Sequence, residues 1–217
     1  MTEPAGGSAS PNDTREHWDR LYRTRPAQSL SWFEAEPEAS LEMLDRAELD
    51  RESCVIDVGG GASVLVDRLV ARGVSDITVL DLSRAALDAA RARLGAAAGA
   101  VQWREGDVLS ARLEPRAYDI WHDRAVFHFL GAAEDRARYL AQLTRALRPR
   151  GTAIIATFAE DGPTRCSGLP VVRYDDTALA AALGPALELR DVLRRTHVTP
   201  AGVAQSFLYT RWSRVDE

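Results

Sequence analysis

The sequence predicts an α/β fold in which a mostly parallel sheet is covered by helices on both faces. Short apolar runs bounded by glycine, proline or acidic residues alternate with longer segments that carry apolar residues at helical spacing. Strands separated by helices favour parallel pairing, because each connection has to cross the sheet before the next strand begins. Ligands of such sheets bind at the carboxyl ends of the strands. The length of 217 residues suits one domain of this kind.

Each predicted element follows from its own pattern of residues. Short apolar runs indicate buried strands, while a stripe of alanine and leucine over residues 132–147 indicates a helix. Ser83 is a suitable N-cap for the helix that follows it. The predicted helices cover residues 15–23, 39–47, 64–72, 83–94, 132–147 and 175–183. The predicted strands cover residues 54–58, 76–80, 100–104, 117–122, 152–158, 187–197 and 205–212.

Three regions of the chain differ in composition. Residues 1–14 are rich in glycine, serine, proline and alanine, which predicts a disordered tail. Residues 15–48 combine two predicted helices with an aromatic loop, which indicates a helical, aromatic cap. Residues 49–217 form the α/β domain, and they contain neither an internal repeat nor a sign of a second domain.

Composition disfavours several classes of function. The net charge of −5 at pH 7 predicts no nucleic-acid partner. No apolar run approaches the ~18 residues of a membrane span, and the N-terminus lacks an apolar leader segment, so we expect no membrane partner and a cytoplasmic location. Two cysteines and the absence of metal-ligand spacings predict neither a disulfide framework nor a metal site. The oligomeric state is left open.

The most informative stretch is the turn Gly59, Gly60 and Gly61, which follows the strand that ends near Asp57. Bare backbone here lets a ligand lie close to the chain. A phosphate-binding P-loop needs a lysine, and all 27 basic residues of this chain are arginine. A dinucleotide turn needs a further glycine where Val64 stands. An acid two residues before the first glycine instead suits a ligand with a cationic amine.

Two further strands end in acidic residues. Asp81, followed by Leu82, comes 20 residues after Gly61, at the spacing of a carboxylate that accepts hydrogen bonds from ribose hydroxyls. Its other interpretation is a charge partner of the next helix dipole. After the third strand, Asp107 can accept from an exocyclic adenine amine and the Val108 backbone can meet the ring. Three such endings in succession predict one nucleoside site.

This set of motifs resembles the class I S-adenosylmethionine (SAM)-dependent methyltransferases over roughly residues 50–160. The resemblance implies a Rossmann-like, doubly wound sheet of seven strands with an antiparallel last strand, and SAM as the cofactor. It also implies that residues 49–217 are a methyltransferase domain. The implied roles are Asp57, Gly59, Gly60 and Gly61 around the methionine part, Asp81 and Leu82 at the ribose, and Asp107 and Val108 at the adenine.

The acceptor is harder to predict. The chain lacks the Asn/Asp-Pro-Pro-aromatic element of many N-methyltransferases. Asp123-Arg124-Ala125, with a later Asp-Arg-x-x-Tyr that ends at Tyr139, is instead similar to the thiopurine and thiol S-methyltransferase branch, where glycine replaces Ala125. That resemblance implies that Asp123 and Arg124 lie near SAM and that an N-terminal aromatic segment, here with Trp18 and Trp32, closes over it.

The predicted function is therefore methyl transfer from SAM to a small-molecule acceptor, such as a thiol or another soft nucleophile. A dry pocket favours the reaction of an anionic nucleophile with a sulfonium. His122 and His128 are candidates to take a proton from the acceptor, or else hydrogen-bonded structural side chains. Two alternatives stay open: a protein lysine N-methyltransferase, because some of those begin with a segment like His17-Trp18-Asp19, and a SAM-binding sensor without turnover.

Overall fold

The computed structural model describes residues 11–215, and it has one seven-stranded sheet with helices on both faces. The helices are α1 (Pro11–Thr24), α2 (Glu38–Arg46), α3 (Leu65–Ala71), α4 (Arg84–Leu94), α5 (Ala133–Ala146) and α6 (Asp176–Leu183). The strands of the sheet are β1 (Cys54–Val58), β2 (Asp76–Asp81), β3 (Val101–Glu105), β4 (Tyr118–Arg124), β5 (Leu147–Phe158), β8 (Leu187–Val198) and β9 (Ala204–Arg214). A separate hairpin pairs β6 (Arg165–Cys166) with β7 (Leu169–Pro170).

The strands lie in the order β3-β2-β1-β4-β5-β9-β8. The five strands from β3 to β5 pair in parallel, and β9 is antiparallel to both of its neighbours. The strand order therefore reverses between β1 and β4. In open α/β sheets a ligand binds at the carboxyl ends of the strands next to such a reversal. The topology places the predicted ligand site at the ends of β1, β2 and β4.

Apolar side chains form a cluster on each face of the sheet. One cluster includes Trp121, Leu143 and Leu179 and lies under α5 and α6, while the other includes Met43 and Leu69 and lies under α2 and α3. The two clusters form because parallel strands are covered on both faces and therefore carry nearly continuous apolar sequence. Within residues 11–215 no helix is both long and apolar enough to cross a membrane.

The predicted fold class is confirmed, and the predicted elements are all present within a few residues of their expected bounds. Two details differ. Strand β5 begins directly after α5, because Leu147 already pairs with Tyr118, so residues 148–151, between the predicted helix and the predicted strand, lie inside a strand. The hairpin β6–β7 lies between residues 158 and 175, where no element was predicted. Residues 1–10 of the predicted tail lie outside the described part of the chain, and α1 begins at Pro11.

Candidate active site

The glycine turn after β1 leaves no room for side chains. Gly59 and Gly61 have positive φ angles of 67° and 45°. A Cβ atom on Gly59 would lie 2.1 Å from the Val126 side chain, and one on Gly60 would lie 2.4 Å from Oδ2 of Asp57. At Gly61 the nearest atom would be Oδ2 of Asp81, at 2.8 Å. The turn thus brings the backbone close to two carboxylates at the ends of β1 and β2.

One carboxylate oxygen of Asp57 is hydrogen-bonded, and the other has no partner among the described residues. Its side chain is buried, and Oδ1 lies 2.8 Å from Nδ1 of His122 on the neighbouring strand β4. Its other oxygen, Oδ2, has no hydrogen-bond partner among the described residues and lies against Gly60. An unpaired buried carboxylate oxygen is costly, so this atom is suited to a hydrogen-bond donor supplied by a ligand.

Asp81 ends β2 and faces the same turn. Its Oδ1 accepts a hydrogen bond of 2.7 Å from the backbone N–H of Ser83. Burial raises the pKa of Asp81 to about 7, and the carboxylates of Asp57 and Asp19 add to this effect while the Ser83 N–H opposes it. Leu82, the next residue, is half-buried. The raised pKa shows that the cost of burying the carboxylate outweighs the hydrogen bonds that it receives from the protein.

The end of β3 lies beside the end of β2. The backbone N–H of Gly106 donates to the carbonyl oxygen of Asp81, which ties the two strand ends together. Oδ1 of Asp107 accepts from the Leu109 N–H at 2.9 Å and fixes the turn, while Val108 is buried. The three predicted strand endings therefore meet at one edge of the sheet.

Aromatic residues of the cap lie next to the glycine turn. The Trp18 ring on α1 makes edge contacts with Trp32 and Phe129 at centroid distances of 5.5 Å and 5.4 Å. Nε1 of Trp32 donates to the Tyr22 hydroxyl at 3.2 Å, and burial together with Asp81 raises the pKa of Tyr22. Tyr22 was not among the predicted site residues, although its spacing of four from Trp18 places both side chains on one face of α1.

Helix α1 is fastened to the domain by polar contacts. Oδ1 of Asp19 accepts from the Ser83 hydroxyl at 2.7 Å and from the Ala85 N–H at 3.2 Å, so it helps to cap α4. Arg15 pairs with Glu105 at the end of β3, at 2.9 Å. These contacts hold α1 across the cleft, and no local sequence pattern predicts them because the partners lie far apart in the chain.

Arg124 ends β4 and anchors the cap. Its guanidinium donates to the Tyr209 hydroxyl at 2.9 Å and to the Trp32 carbonyl at 3.0 Å, and it pairs with Glu34 at 3.0 Å. The guanidinium also lies over the Phe207 ring. Arg124 lines the same cleft as Gly59 and Gly60.

Asp123, predicted beside Arg124 as a cofactor contact, lies on the other face of the sheet because alternate residues of a strand point in opposite directions. Its Oδ2 accepts from the Tyr139 hydroxyl at 2.6 Å, and its Oδ1 accepts from the Val126 N–H at 2.8 Å. Burial raises the pKa of Asp123 to about 6 despite these bonds. This geometry favours a structural role, in which Asp123 fixes the turn that follows β4.

The two candidate histidines are both buried. His122 lies between Asp57 and Ser40 and lines the cleft. His128 packs between the Phe129 and Phe158 rings, and burial together with Arg124 lowers its pKa to about 3. A histidine with this pKa is a weak base, so the geometry of His128 favours packing over proton transfer.

The polar groups around the glycine turn suit the cofactor that the sequence predicted. The enclosed part of the cleft is only about 50 Å³, below the ~300–1,000 Å³ of usual small-molecule sites, so binding of SAM requires the covering segments to move. The free oxygen of Asp57 suits an ammonium group, the bare backbone at Gly60 and Gly61 accommodates a close ligand, and Asp81 suits a pair of hydroxyls. SAM carries an amine, a sulfonium and a ribose, and these groups match that set.

Comparison with known proteins agrees with this geometry. Residues 55–151 match the family model of a methyltransferase domain. The chain is 25% identical to human EEF1A lysine methyltransferase 2 over 167 residues, which cover 66% of this chain and 67% of that protein.

Two solved structures share the fold. One comes from work on the conversion of a disulfide bond into a thioacetal group during echinomycin biosynthesis; it has a TM-score of 0.76, 20% identity and 93% coverage of both chains. The other is 1,6-didemethyltoxoflavin-N1-methyltransferase of Burkholderia thailandensis with bound S-adenosylhomocysteine, with a TM-score of 0.68, 19% identity, and coverage of 98% of this chain and 93% of that one.

The predictions of enzyme class and cofactor are confirmed, and an enzyme is favoured over a sensor without turnover. The sulfur branch and the roles of individual site residues stay predictions. The sheet order and the match of residues 55–151 to a methyltransferase domain support a methyltransferase enzyme that has the class I fold and uses SAM.

Proposed function

We propose that the protein methylates a small molecule and that the acceptor atom is a soft nucleophile such as a thiol sulfur. The observation that carries the proposal is the buried Arg124 guanidinium, which shares the cleft with Gly59 and Gly60. A fixed cation at this place disfavours an ammonium acceptor through like-charge repulsion and suits an anionic or neutral one. Glu34 compensates part of this charge.

The surroundings of the cleft support a small acceptor. Helix α1 and residues 30–37 cover one side, and the Ser167 backbone of the hairpin β6–β7 lies near His17 of α1. Cys166 of the same hairpin is buried, and burial raises its pKa to about 11 while Arg124 opposes this. An entrance enclosed by two segments of the chain admits a small molecule more readily than a folded protein surface.

The chain supplies binding, orientation and a dry environment for the reaction. Bound SAM would contribute a methyl group on a positively charged sulfur. The Trp32 ring lines the cleft, and Trp18 packs against Trp32 and Phe129 beside it. An aromatic wall favours an anionic nucleophile, because opposite charges are lost in the transfer. The turn at Gly60 and the carboxylate of Asp81 would hold the cofactor in place, so that alignment contributes much of the rate. No described residue is needed as a strong base when the acceptor is a thiolate.

Both structural relatives support this choice, because the names of their reactions refer to small molecules. One concerns sulfur chemistry on echinomycin, and the other concerns didemethyltoxoflavin. At sequence identities of 19–20% the two structures show a shared fold alone, so the proposed acceptor rests on the residues of this chain.

A protein lysine is the second candidate. A groove beside the cleft is lined by Phe33, Glu34, Glu36, Glu38 and Tyr209, and its acidic residues suit a cationic side chain. Glu36 pairs with Arg68 and Glu34 pairs with Arg124, which leaves Glu38 as the carboxylate with the least compensation among these described residues. The similarity to EEF1A lysine methyltransferase 2 agrees with this alternative.

One experiment distinguishes the two candidates. Purified protein is incubated with SAM and, separately, with aliphatic and aromatic thiols, with small amines, and with the elongation factor EEF1A, and release of S-adenosylhomocysteine is measured. We expect turnover with a thiol that increases with pH as the thiolate forms. Methylation of the elongation factor without turnover on any thiol would overturn the proposal in favour of the lysine candidate.

Two variants control this assay. Asp81→Asn is expected to abolish turnover on every acceptor, because it removes the carboxylate proposed to bind the cofactor. Asp88→Asn changes an exposed carboxylate on α4 and should retain the rate. Equal rates in the two variants would show that the released product does not come from the proposed site.

A further inference from the structure

We propose that His122 and Ser40 are positioning residues that orient Asp57 toward the amino group of the cofactor. The inference concerns binding of SAM alone and rests on the cofactor site, so it is independent of which acceptor is used. Neither residue is expected to touch the reacting atoms.

Asp57, His122 and Ser40 form a buried chain of hydrogen bonds. Oδ1 of Asp57 lies 2.8 Å from Nδ1 of His122, and Nε2 of His122 lies 2.9 Å from the Ser40 hydroxyl. The three residues are 2%, 2% and 1% exposed. They come from β1, β4 and α2, so the chain of hydrogen bonds joins two parallel strands of the sheet to the second helix of the cap.

The acceptor at the end of this chain sets the direction of its hydrogen bonds. A carboxylate only accepts, so Nδ1–H of His122 donates to Oδ1 of Asp57. With the ring proton assigned to Nδ1, Nε2 accepts from the Ser40 hydroxyl.

A serine, a histidine and an aspartate in this order also occur in nucleophilic hydrolases. Here the Ser40 hydroxyl is hydrogen-bonded to His122 and is 1% exposed on the inner face of α2. A nucleophile has to reach its substrate, so the arrangement serves orientation and not hydrolysis.

The consequence lies at Asp57. Because His122 occupies Oδ1, the carboxylate cannot rotate freely, and Oδ2 stays directed at the Gly60 backbone without a partner of its own. Charge-assisted hydrogen bonds depend on such preorganisation. An ammonium at this position would meet a fixed, unshared oxygen. Without His122 the same carboxylate would have two unpaired oxygens and no fixed direction.

The test compares two ligands that differ at the amino group. SAM carries the amino-acid portion, whereas 5′-methylthioadenosine keeps the adenosine and the sulfur but lacks it. Calorimetry gives the dissociation constants of both ligands for the wild-type protein and for His122→Phe, His122→Asn and Ser40→Ala. We expect His122→Phe to raise the dissociation constant of SAM about tenfold and that of 5′-methylthioadenosine less than about twofold.

The two milder variants serve as a graded series. His122→Asn retains an N–H donor and should recover part of the lost SAM affinity. Ser40→Ala should raise the dissociation constant of SAM about threefold, because His122 loses its second hydrogen-bond partner. Equal weakening of both ligands, or no weakening of either, would overturn the proposal. If His122→Phe does not fold, Ser40→Ala and His122→Asn give the same comparison.

Matched controls separate orientation from stability. Tyr139→Phe breaks a buried polar contact on the opposite face of the sheet and should leave the ratio of the two dissociation constants unchanged. Asp81→Asn should weaken both ligands together, since both contain ribose. Failure of the acceptor proposal would leave these binding results intact, so the two proposals fail separately.

Discussion

The ends of β2 and β4 carry similar aspartates with different surroundings. Asp81 and Asp123 each close a parallel strand of the sheet, and burial raises the pKa of both, to about 7 and about 6. Asp123 accepts hydrogen bonds from Tyr139, Val126 and Phe127, all within the protein. Asp81 accepts from the Ser83 N–H and faces the glycine turn.

The comparison teaches that the pKa alone does not distinguish a ligand site from a structural one. Perturbed values arise at both kinds of position. The number of protein donors around each carboxylate is the better guide, because a carboxylate that is satisfied by its own chain has little capacity left for a ligand. By this measure Asp81 is the better candidate for the cofactor site, and Asp123 is the better candidate for a structural role.

The largest expected effect comes from Asp123→Ala. The substitution leaves the Tyr139 hydroxyl and two backbone N–H groups without their acceptor, at about 1–3 kcal/mol each, and the released cost of burying a carboxylate offsets part of this. We expect the free energy of unfolding to fall by about 3 kcal/mol in urea titrations. SAM affinity of the folded fraction should be nearly unchanged; a selective loss of affinity would place Asp123 in the site after all.

Asp81→Asn should produce the opposite pattern. Loss of two charge-assisted hydrogen bonds to ribose is expected to weaken SAM by about 30- to 100-fold in calorimetry. Because the folded-state pKa lies above the unfolded value near 3.9, the ionised carboxylate lowers stability increasingly between about pH 4 and pH 7. The variant should therefore be at least as stable as the wild type at pH 7.5. A variant that is less stable than the wild type but binds SAM normally would assign Asp81 a structural role instead.

The pH dependence of binding sharpens the assignment of Asp81. The carboxylate form accepts from both ribose hydroxyls, and with a pKa of about 7 it becomes scarce in acid. SAM affinity should thus fall by up to about fivefold between pH 7 and pH 6 and level off above pH 8. Asp81→Asn should remove most of this slope. The same slope in both proteins would point to another titrating group.

Ala125→Gly should have the smallest effect. Ala125 has a positive φ of 73°, and this left-handed conformation costs a residue with a Cβ roughly 1–2 kcal/mol. Glycine relieves that strain but loses more conformational freedom, so we expect a gain of about 0.5 kcal/mol in the free energy of unfolding. A loss of stability in thermal or urea unfolding would show that Ala125 packing outweighs the strain.

The cofactor half of the site was predictable because its signals are local. Asp57, the three glycines and Asp81 lie at fixed spacings within one strand-turn-helix unit and the next strand, and the structure brings them together. The side on which the Asp123 side chain lies could also have been predicted, since His122 and Asp123 are neighbours in a strand and cannot both face the cleft.

The rest of the site depends on contacts between distant parts of the chain. Ser40 meets His122 across 82 positions, and Arg124 meets Tyr209 across 85. Which helix packs over a strand end depends on the whole fold, and a single sequence carries no periodic signal for it. For the same reason the docking of Tyr22 beside Asp81 was missed, although Trp18 and Trp32 were predicted to belong to an aromatic segment that closes over the cofactor.

Helix α1 has a further consequence for the catalytic cycle. It is fastened over the cleft by Asp19 at the start of α4 and by the exposed pair of Arg15 and Glu105. Exchange of spent S-adenosylhomocysteine for fresh SAM requires these contacts to open once per turnover. Because ions in solution weaken exposed charge pairs, product release should accelerate as ionic strength rises, even while the affinity for both ligands declines.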